Sequence, residues 1–191
     1  MNLEAVKFQT LQVQGLALED RWILSRLTDA VERVHRHLTA YNPSAAISAA
    51  RDFFWGDLCD WYLELIKPRM RDPSRAGTAR QVLATTLDQI LRLFHPFVPF
   101  ITEALWDKLN EQAPIRGIDQ ELPGSELLVR AAWPEQRADW RDEELEGQMA
   151  LMQEVVTGIR ENRARYEVAA GTKLNVRIRA TGNTAEALSA T

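Results

Sequence analysis

"DLCDWYLELIKP", residues 57–68, decides how the chain must be built, because its apolar residues refuse to form a single stripe. Counted at the α-helical period, Leu58, Cys59, Trp61, Tyr62, Leu63, Leu65 and Ile66 spread round nearly the whole circumference, while Asp57, Asp60 and Glu64 are scattered among them. A helix of that composition must be covered on most of its faces by other helices. Pro68 is expected to end or kink it.

Outward from this stretch the helical period continues in both directions. Upstream, Asn42 caps and Pro43 takes the first helical position of the same element, which runs through Ile47, Ala50, Phe54 and Leu58. Before it, Ile23, Leu27, Ala30, Val34, Leu38 and Tyr41 recur at three and four and predict an amphipathic helix over 20–41. Downstream, "DPS" at 72–74 opens a helix with the inner face Val82, Leu83, Leu87, Ile90, Leu91 and Phe94. Pro96 and Pro99 then redirect the chain into a short helix along Ile101, Leu105 and Leu109. Four helices with short connectors predict an antiparallel bundle, hence a mostly α fold.

Residues 112–140, punctuated by Pro114, Gly117, Pro123 and Gly124, read as an irregular excursion over the bundle. A long helix follows from near Trp140, acidic in its first turn and basic in its last, with the stripe Leu145, Met149, Met152, Val156 and Ile159. From Lys173 to Arg179 the period changes to two, which predicts a short strand whose partner lies in the "LLVRAA" run or further along a longer chain. We therefore expect a helical-bundle domain over 1–147, then, over 148–191, a long helix plus strand opening a truncated α/β element.

Composition excludes several classes. No apolar run approaches the roughly 20 residues that cross a bilayer, so no membrane partner is expected. The amino end lacks the basic-then-apolar pattern of a secretory leader, which makes the cytoplasm the expected compartment. The lone Cys59 excludes an intramolecular disulfide and reads as a small buried hydrophobe. No phosphate-binding glycine loop, Cys-x-x-Cys, His-Glu-x-x-His or nucleophile elbow occurs, so no catalytic residue is expected. Glu32 and His35 form a Glu-x-x-His, but Arg92 stands where a second copy with His95 would need a glutamate, and no metal is expected.

The net charge of -4 argues against indiscriminate polyanion binding, yet the charge is sorted. Residues 67–80 hold five bases against Asp72 alone, residues 158–180 hold six against Glu161 and Glu167, and residues 134–147 hold six acids against two bases. Such runs are either solvated helix faces or a phosphate-tracking surface, and on the second reading Lys67, Arg69, Arg160, Arg163 and Arg165 are contact candidates.

"DRWILSRL" (20–27), "FFWGDLCDWYLELIKP" (53–68), "LFHPFVPFITEALW" (93–106), "AAWP" (131–134) and "IRENRARYEV" (159–168), in this order, resemble the helical anticodon-binding domain of class I valyl-tRNA synthetases. The resemblance covers residues 5–180, and the Cys-Asp-Trp-Tyr-Leu-Glu block is what points to valine rather than to the isoleucyl or leucyl relatives. It implies recognition of the tRNA(Val) anticodon stem-loop, with the middle and third bases met by Leu63 and Glu64 and by a basic-aromatic pair at Lys7 and Phe8. The chain departs from the family at Leu58, usually aromatic, and at Glu4, usually asparagine. The family's ATP-dependent ligation uses His-Ile-Gly-His and Lys-Met-Ser-Lys-Ser motifs, and neither occurs here. The resemblance thus implies a cofactor-free recognition piece, monomeric, working with the remainder of a synthetase chain that uses ATP. A helical protein-interaction module is the rival reading of the same residues.

Overall fold

The computed structural model describes residues 8–169 and 171–179. Its helices are α1 (Leu18–Thr39), α2 (Pro43–Asp52), α3 (Leu63–Met70), α4 (Ala76–Phe94), α5 (Pro99–Gln112) and α6 (Glu143–Arg165). The chain divides into two units, 1–142 and 143–191.

In the first unit the connectors follow the local chemistry. The Asn42 side chain accepts from the Ala45 N–H at 3.1 Å, and Pro43 at the first helical position gives up a donor that would have been orphaned there. Asp72 accepts from both the N–H and the hydroxyl of Ser74, and its carbonyl receives the Arg75 and Ala76 N–H groups that start α4. Between α2 and α3 the helix never stops. Residues Phe53–Tyr62 form a π-helical segment, and the Leu63 N–H donates five residues back to the Leu58 carbonyl.

The π segment resolves the missing stripe. Buried positions step from Ala46, Ala49 and Ala50 to Phe53, then by five to Leu58, then by four to Tyr62 and Ile66. Five is the hydrogen-bond spacing of a π turn, so a face that looks scattered at the α period becomes continuous. This face packs on α1, and the core is closed by α4, which buries Val82, Leu83, Ile90 and Leu93. Pro68, expected to end or kink the helix, lies inside α3, which continues two residues beyond it to Met70.

At α5 the buried face is shifted from the one the apolar residues predict. Thr102, Trp106 and Leu109 are inside, while Ile101 is 60% and Leu105 49% exposed. Thr102 tolerates burial because its hydroxyl donates back to the Val98 carbonyl at 3.0 Å. Trp106 has two guanidinium groups against its ring, Arg92 at 5.0 Å and Arg116 at 4.5 Å, and both pair with the one carboxylate of Asp88. Tyr41, predicted to extend the α1 stripe, instead falls past the helix end in a left-handed conformation with φ 55° and is exposed.

The excursion over 113–140 is irregular, as expected, but firmly tied. Gln81 and Thr85 donate to the Gly117 carbonyl, and Thr85 accepts from the Gly117 N–H at 3.0 Å. Gly117 has φ 138°, and a Cβ there would meet the Gln120 carbonyl oxygen at 1.9 Å, so only glycine fits. Arg137 bridges Asp119 and Asp139 and stacks on Trp140 at 4.3 Å. The guanidinium hydrogen bonds hold both carboxyls below the usual aspartate range. A depressed folded-state pKa stabilises the fold at neutral pH, and that contribution disappears as pH falls from the ordinary value of about 3.9 through the lowered one. Arg137→Gln should therefore flatten the acid side of a plot of unfolding midpoint against pH; an acid limb as steep as that of the unmodified protein contradicts the assignment.

In the second unit α6 carries Glu143, Glu144 and Glu146 in its first turn and Arg163 and Arg165 in its last. Leu145 and Met149 of the predicted stripe are buried, and Met152, Val156 and Ile159 are half-buried. The strand expected over 173–179 is not formed: these residues are irregular and exposed, and no strand pairs with them among the described residues. Alternation alone does not make a strand without a neighbour to accept its hydrogen bonds. The run "LLVRAA", one of its expected partners, contains a 3-10 turn at Leu128–Arg130 instead. Within the described residues no helix is long and apolar enough to cross a membrane.

Candidate nucleic-acid interface

Leu63 and Glu64 stand where the π segment passes into α3. On either side of them the helix is fixed from within. Tyr62 is fully buried and donates its hydroxyl to Asp20 at 2.8 Å; Ile66 is fully buried; Arg69 contacts Asp20 and Glu19, each at 2.7 Å. Glu19 and Asp20 lie in the first turn of α1, so two helices are joined by one polar knot. Burial pushes the Asp20 carboxyl above its ordinary pKa against the pull of Arg69 and Tyr62, and the Tyr62 hydroxyl is driven well up by burial and by Asp20.

This rigid backing leaves a small outward face. Leu63 is half-buried, and the Glu64 side chain is 55% exposed and paired with Lys67 one turn on. A solvent-exposed pair of this kind contributes at most about 1 kcal/mol, so it opens readily for another hydrogen-bond partner. The geometry therefore offers a carboxylate acceptor, an apolar side chain and an ammonium on about one helical turn.

Phe8 is half-buried, and Lys7 lies outside the described residues. The next residue is clamped: Gln9 donates its N–H to the Gln81 side chain at 3.1 Å, and the Gln81 amide donates to the Gln9 carbonyl at 2.6 Å. Gln81 is in the first turns of α4, just after the connection from α3, so Phe8 is held at the α4 end that adjoins the element carrying Glu64.

The basic candidates fare differently. Arg69 is corrected: its side chain is only 9% exposed and its guanidinium is committed to Asp20 and Glu19, which removes it from the solvent-facing cations. Lys67 remains outside. Arg160, Arg163 and Arg165 belong to the second unit, where Arg163 donates to the Ala169 and Thr172 carbonyls and closes the turn after α6. Cys59 is half-buried with its thiol pKa raised by burial, which keeps it protonated. Among the described residues no group of His, Cys, Asp and Glu is arranged to hold a metal ion. What the sequence reading missed is the Asp20–Tyr62–Arg69 knot. A signal for it existed, because Asp20 falls on the same helical stripe as Leu24, Leu27, Val31 and Val34, and a carboxylate on a buried stripe requires a partner.

A helical scaffold that stiffens a short polar and apolar face at a π-to-α junction is an architecture for contact with another molecule, and comparison with known proteins states which class. Residues 20–178 match the family model for the anticodon-binding domain of tRNA ligase, and the chain belongs to that family. Its relatives include the valine–tRNA ligases of Rhodopirellula baltica, 35% identical over 98% of this chain, and of Fervidobacterium nodosum, 36% identical over 95%. The valine–tRNA ligase of Carboxydothermus hydrogenoformans is 38% identical over 88%. The matched region is 18%, 19% and 18% of those three proteins, so the chain spans about a fifth of the length of the relatives and corresponds to their anticodon-binding region alone.

Proposed function

We propose that this chain is the module of a valine–tRNA ligase that recognises the anticodon stem-loop of tRNA(Val), as an antiparallel helical bundle of the class I synthetase kind. The observation that carries the reading is the face at Leu63 and Glu64: outward, yet anchored from behind by Tyr62, Ile66 and Arg69. A carboxylate in that place accepts from an exocyclic base amino group, the contact that distinguishes cytosine, and Leu63 beside it meets the middle base. Phe8 stacks on a splayed base, an interaction of about 1–3 kcal/mol in single-stranded RNA, and Lys7 accompanies it.

ATP, valine and the ligation itself belong, on this reading, to the remaining four-fifths of a full-length ligase, and this piece works in the cytoplasm as a monomer attached to that remainder. The outer side of α5 supports a protein neighbour of this kind, with Phe100 91% exposed beside Ile101 and Leu105. It is also the observation that favours the rival reading of a helical interaction module.

Titrating the chain with a valine anticodon stem-loop and with one altered at the middle base separates the two readings. The proposal expects tighter binding of the first; equal binding of both, or none, favours the interaction module. Glu64→Ala should weaken discrimination at the third anticodon base by about 1–3 kcal/mol while leaving the fold intact, since the side chain it removes is exposed. An unchanged third-base preference, measured by competition between the valine loop and one altered at the third base, would show that Glu64 does not read the base.

A further inference from the structure

Arginines in the first unit are mostly neutralised. Arg21, Arg26, Arg92, Arg116, Arg137 and Arg141 each reach an aspartate. Between α3 and the first turns of α4 this pattern breaks. Arg71 and Arg75 are exposed, Arg80 is half-buried, and none of the three guanidinium groups has an ion pair or hydrogen bond among the described residues. The Nε–H of Arg80 is enclosed without an acceptor. Asp72, the acid within this stretch, is committed to Ser74 at the surface, and Arg75 acts on it through charge without pairing with it. An acidic protein that pairs most arginines of its first unit thus keeps three without a partner among the described residues within ten positions, a concentration of positive field with no internal purpose.

Its position is informative. Arg71 caps the carboxy end of α3, seven residues and therefore about 10 Å along the axis from Glu64. Arg80 immediately precedes Gln81, which clamps Gln9 and with it Phe8. The unpaired cations consequently lie between the two elements proposed to meet bases.

We infer that Arg71, Arg75 and Arg80 form a phosphate clamp that grips the sugar-phosphate chain of the anticodon-loop RNA while Leu63, Glu64 and Phe8 meet its bases. The inference rests on the proposed function and goes beyond it, because it moves backbone contact from Arg69, which is buried, to three residues that carry no base-reading role. Contacts to phosphate position a nucleic acid without reading it, so their loss weakens every sequence alike.

The test is the salt dependence of binding. For single strands each phosphate neutralised contributes about 0.7 to the slope of log affinity against log salt, so converting all three arginines to glutamine should lower the slope by about 2. The ratio of affinities for the normal and middle-base-altered loops should stay the same. Arg36→Gln with Arg130→Gln, which removes two other unpaired arginines, serves as the control and should leave the slope nearly unchanged. Should Arg80 prove necessary for folding, Arg71→Gln with Arg75→Gln, both on the surface, should still lower the slope by about 1.4. An unaltered slope, an equal fall in the control, a collapse of the base preference, or displacement of the RNA by polyglutamate as effectively as by unlabelled RNA overturns the clamp. Failure of the unmodified chain to bind any stem-loop overturns the proposed function, and the clamp with it; RNA binding with an undiminished slope in the triple variant overturns the clamp alone.

Discussion

Asp88→Ala is expected to lower the unfolding free energy by about 3–5 kcal/mol, because it strands two guanidinium groups in the interior. Asp88 is fully buried and accepts from Arg92 at 2.7 Å and from Arg116 at 2.8 Å. Both arginines lie against the ring of Trp106, whose indole N–H reaches the Ser125 carbonyl at 2.9 Å. They also tie down the excursion: Arg92 donates to the Ala132 and Pro123 carbonyls, and Arg116 to the Ala113 carbonyl. A single carboxylate thus holds α4, α5 and the irregular segment together. In a chain of this size a loss of that order lowers the thermal midpoint by about 10 °C, a shift readily followed by circular dichroism. Asp139→Ala, which removes an exposed carboxylate from Arg137, should cost less than about 1 kcal/mol by the same measurement. Similar losses in the two variants would mean that the Asp88 network is not a structural centre.

The second large effect concerns Arg69. Removing it leaves Asp20, with 0% of its side chain exposed, facing only a tyrosine hydroxyl, and Arg69→Ala should cost about 3–5 kcal/mol in urea denaturation. The same variant, studied below its unfolding transition, should retain the salt slope of RNA binding shown by the unmodified protein. A stable variant with a reduced slope would instead return Arg69 to the RNA-contacting surface. The contrast with Arg71, Arg75 and Arg80 makes this a sharp comparison, since neighbours in one basic run divide into an internal strut and free surface charge.

That division was illegible in the sequence, where "KPRMRDPSR" reads as a uniformly basic surface. Burial of Arg69 is decided by Glu19 and Asp20, fifty residues away, and local composition carries no trace of so distant a partner. Punctuation was legible: Asn42 and Pro43 stop one helix and start the next, and Pro99 opens α5, because caps and missing donors act within a single turn. Faces were legible only where apolar residues had no competitor. On α5 the stripe through Ile101 and Leu105 lost to the one through Thr102 and Trp106, since the tryptophan fills more of the core and the threonine satisfies its own hydroxyl. The alternating segment after Gly171 met its period but not its partner. For the interface, Glu64 was legible as an outward residue, whereas the anchors behind it required three-dimensional contacts to be seen.

The π segment has a further consequence for how such a chain can change over generations. Each residue added to or removed from a helix turns everything beyond it by roughly 100° about the axis. The wide turn between Phe53 and Tyr62 accommodates one surplus residue without breaking the rod, and it sets the angle at which Leu63 and Glu64 emerge. A one-residue deletion at Gly56, where a side chain would meet nothing within 4 Å, would leave a helix of ordinary pitch but rotate the two side chains off their present heading. In lineages of this fold, length variation at this spot would therefore act as a dial on which surface faces the ligand, with no exchange of any contacting residue.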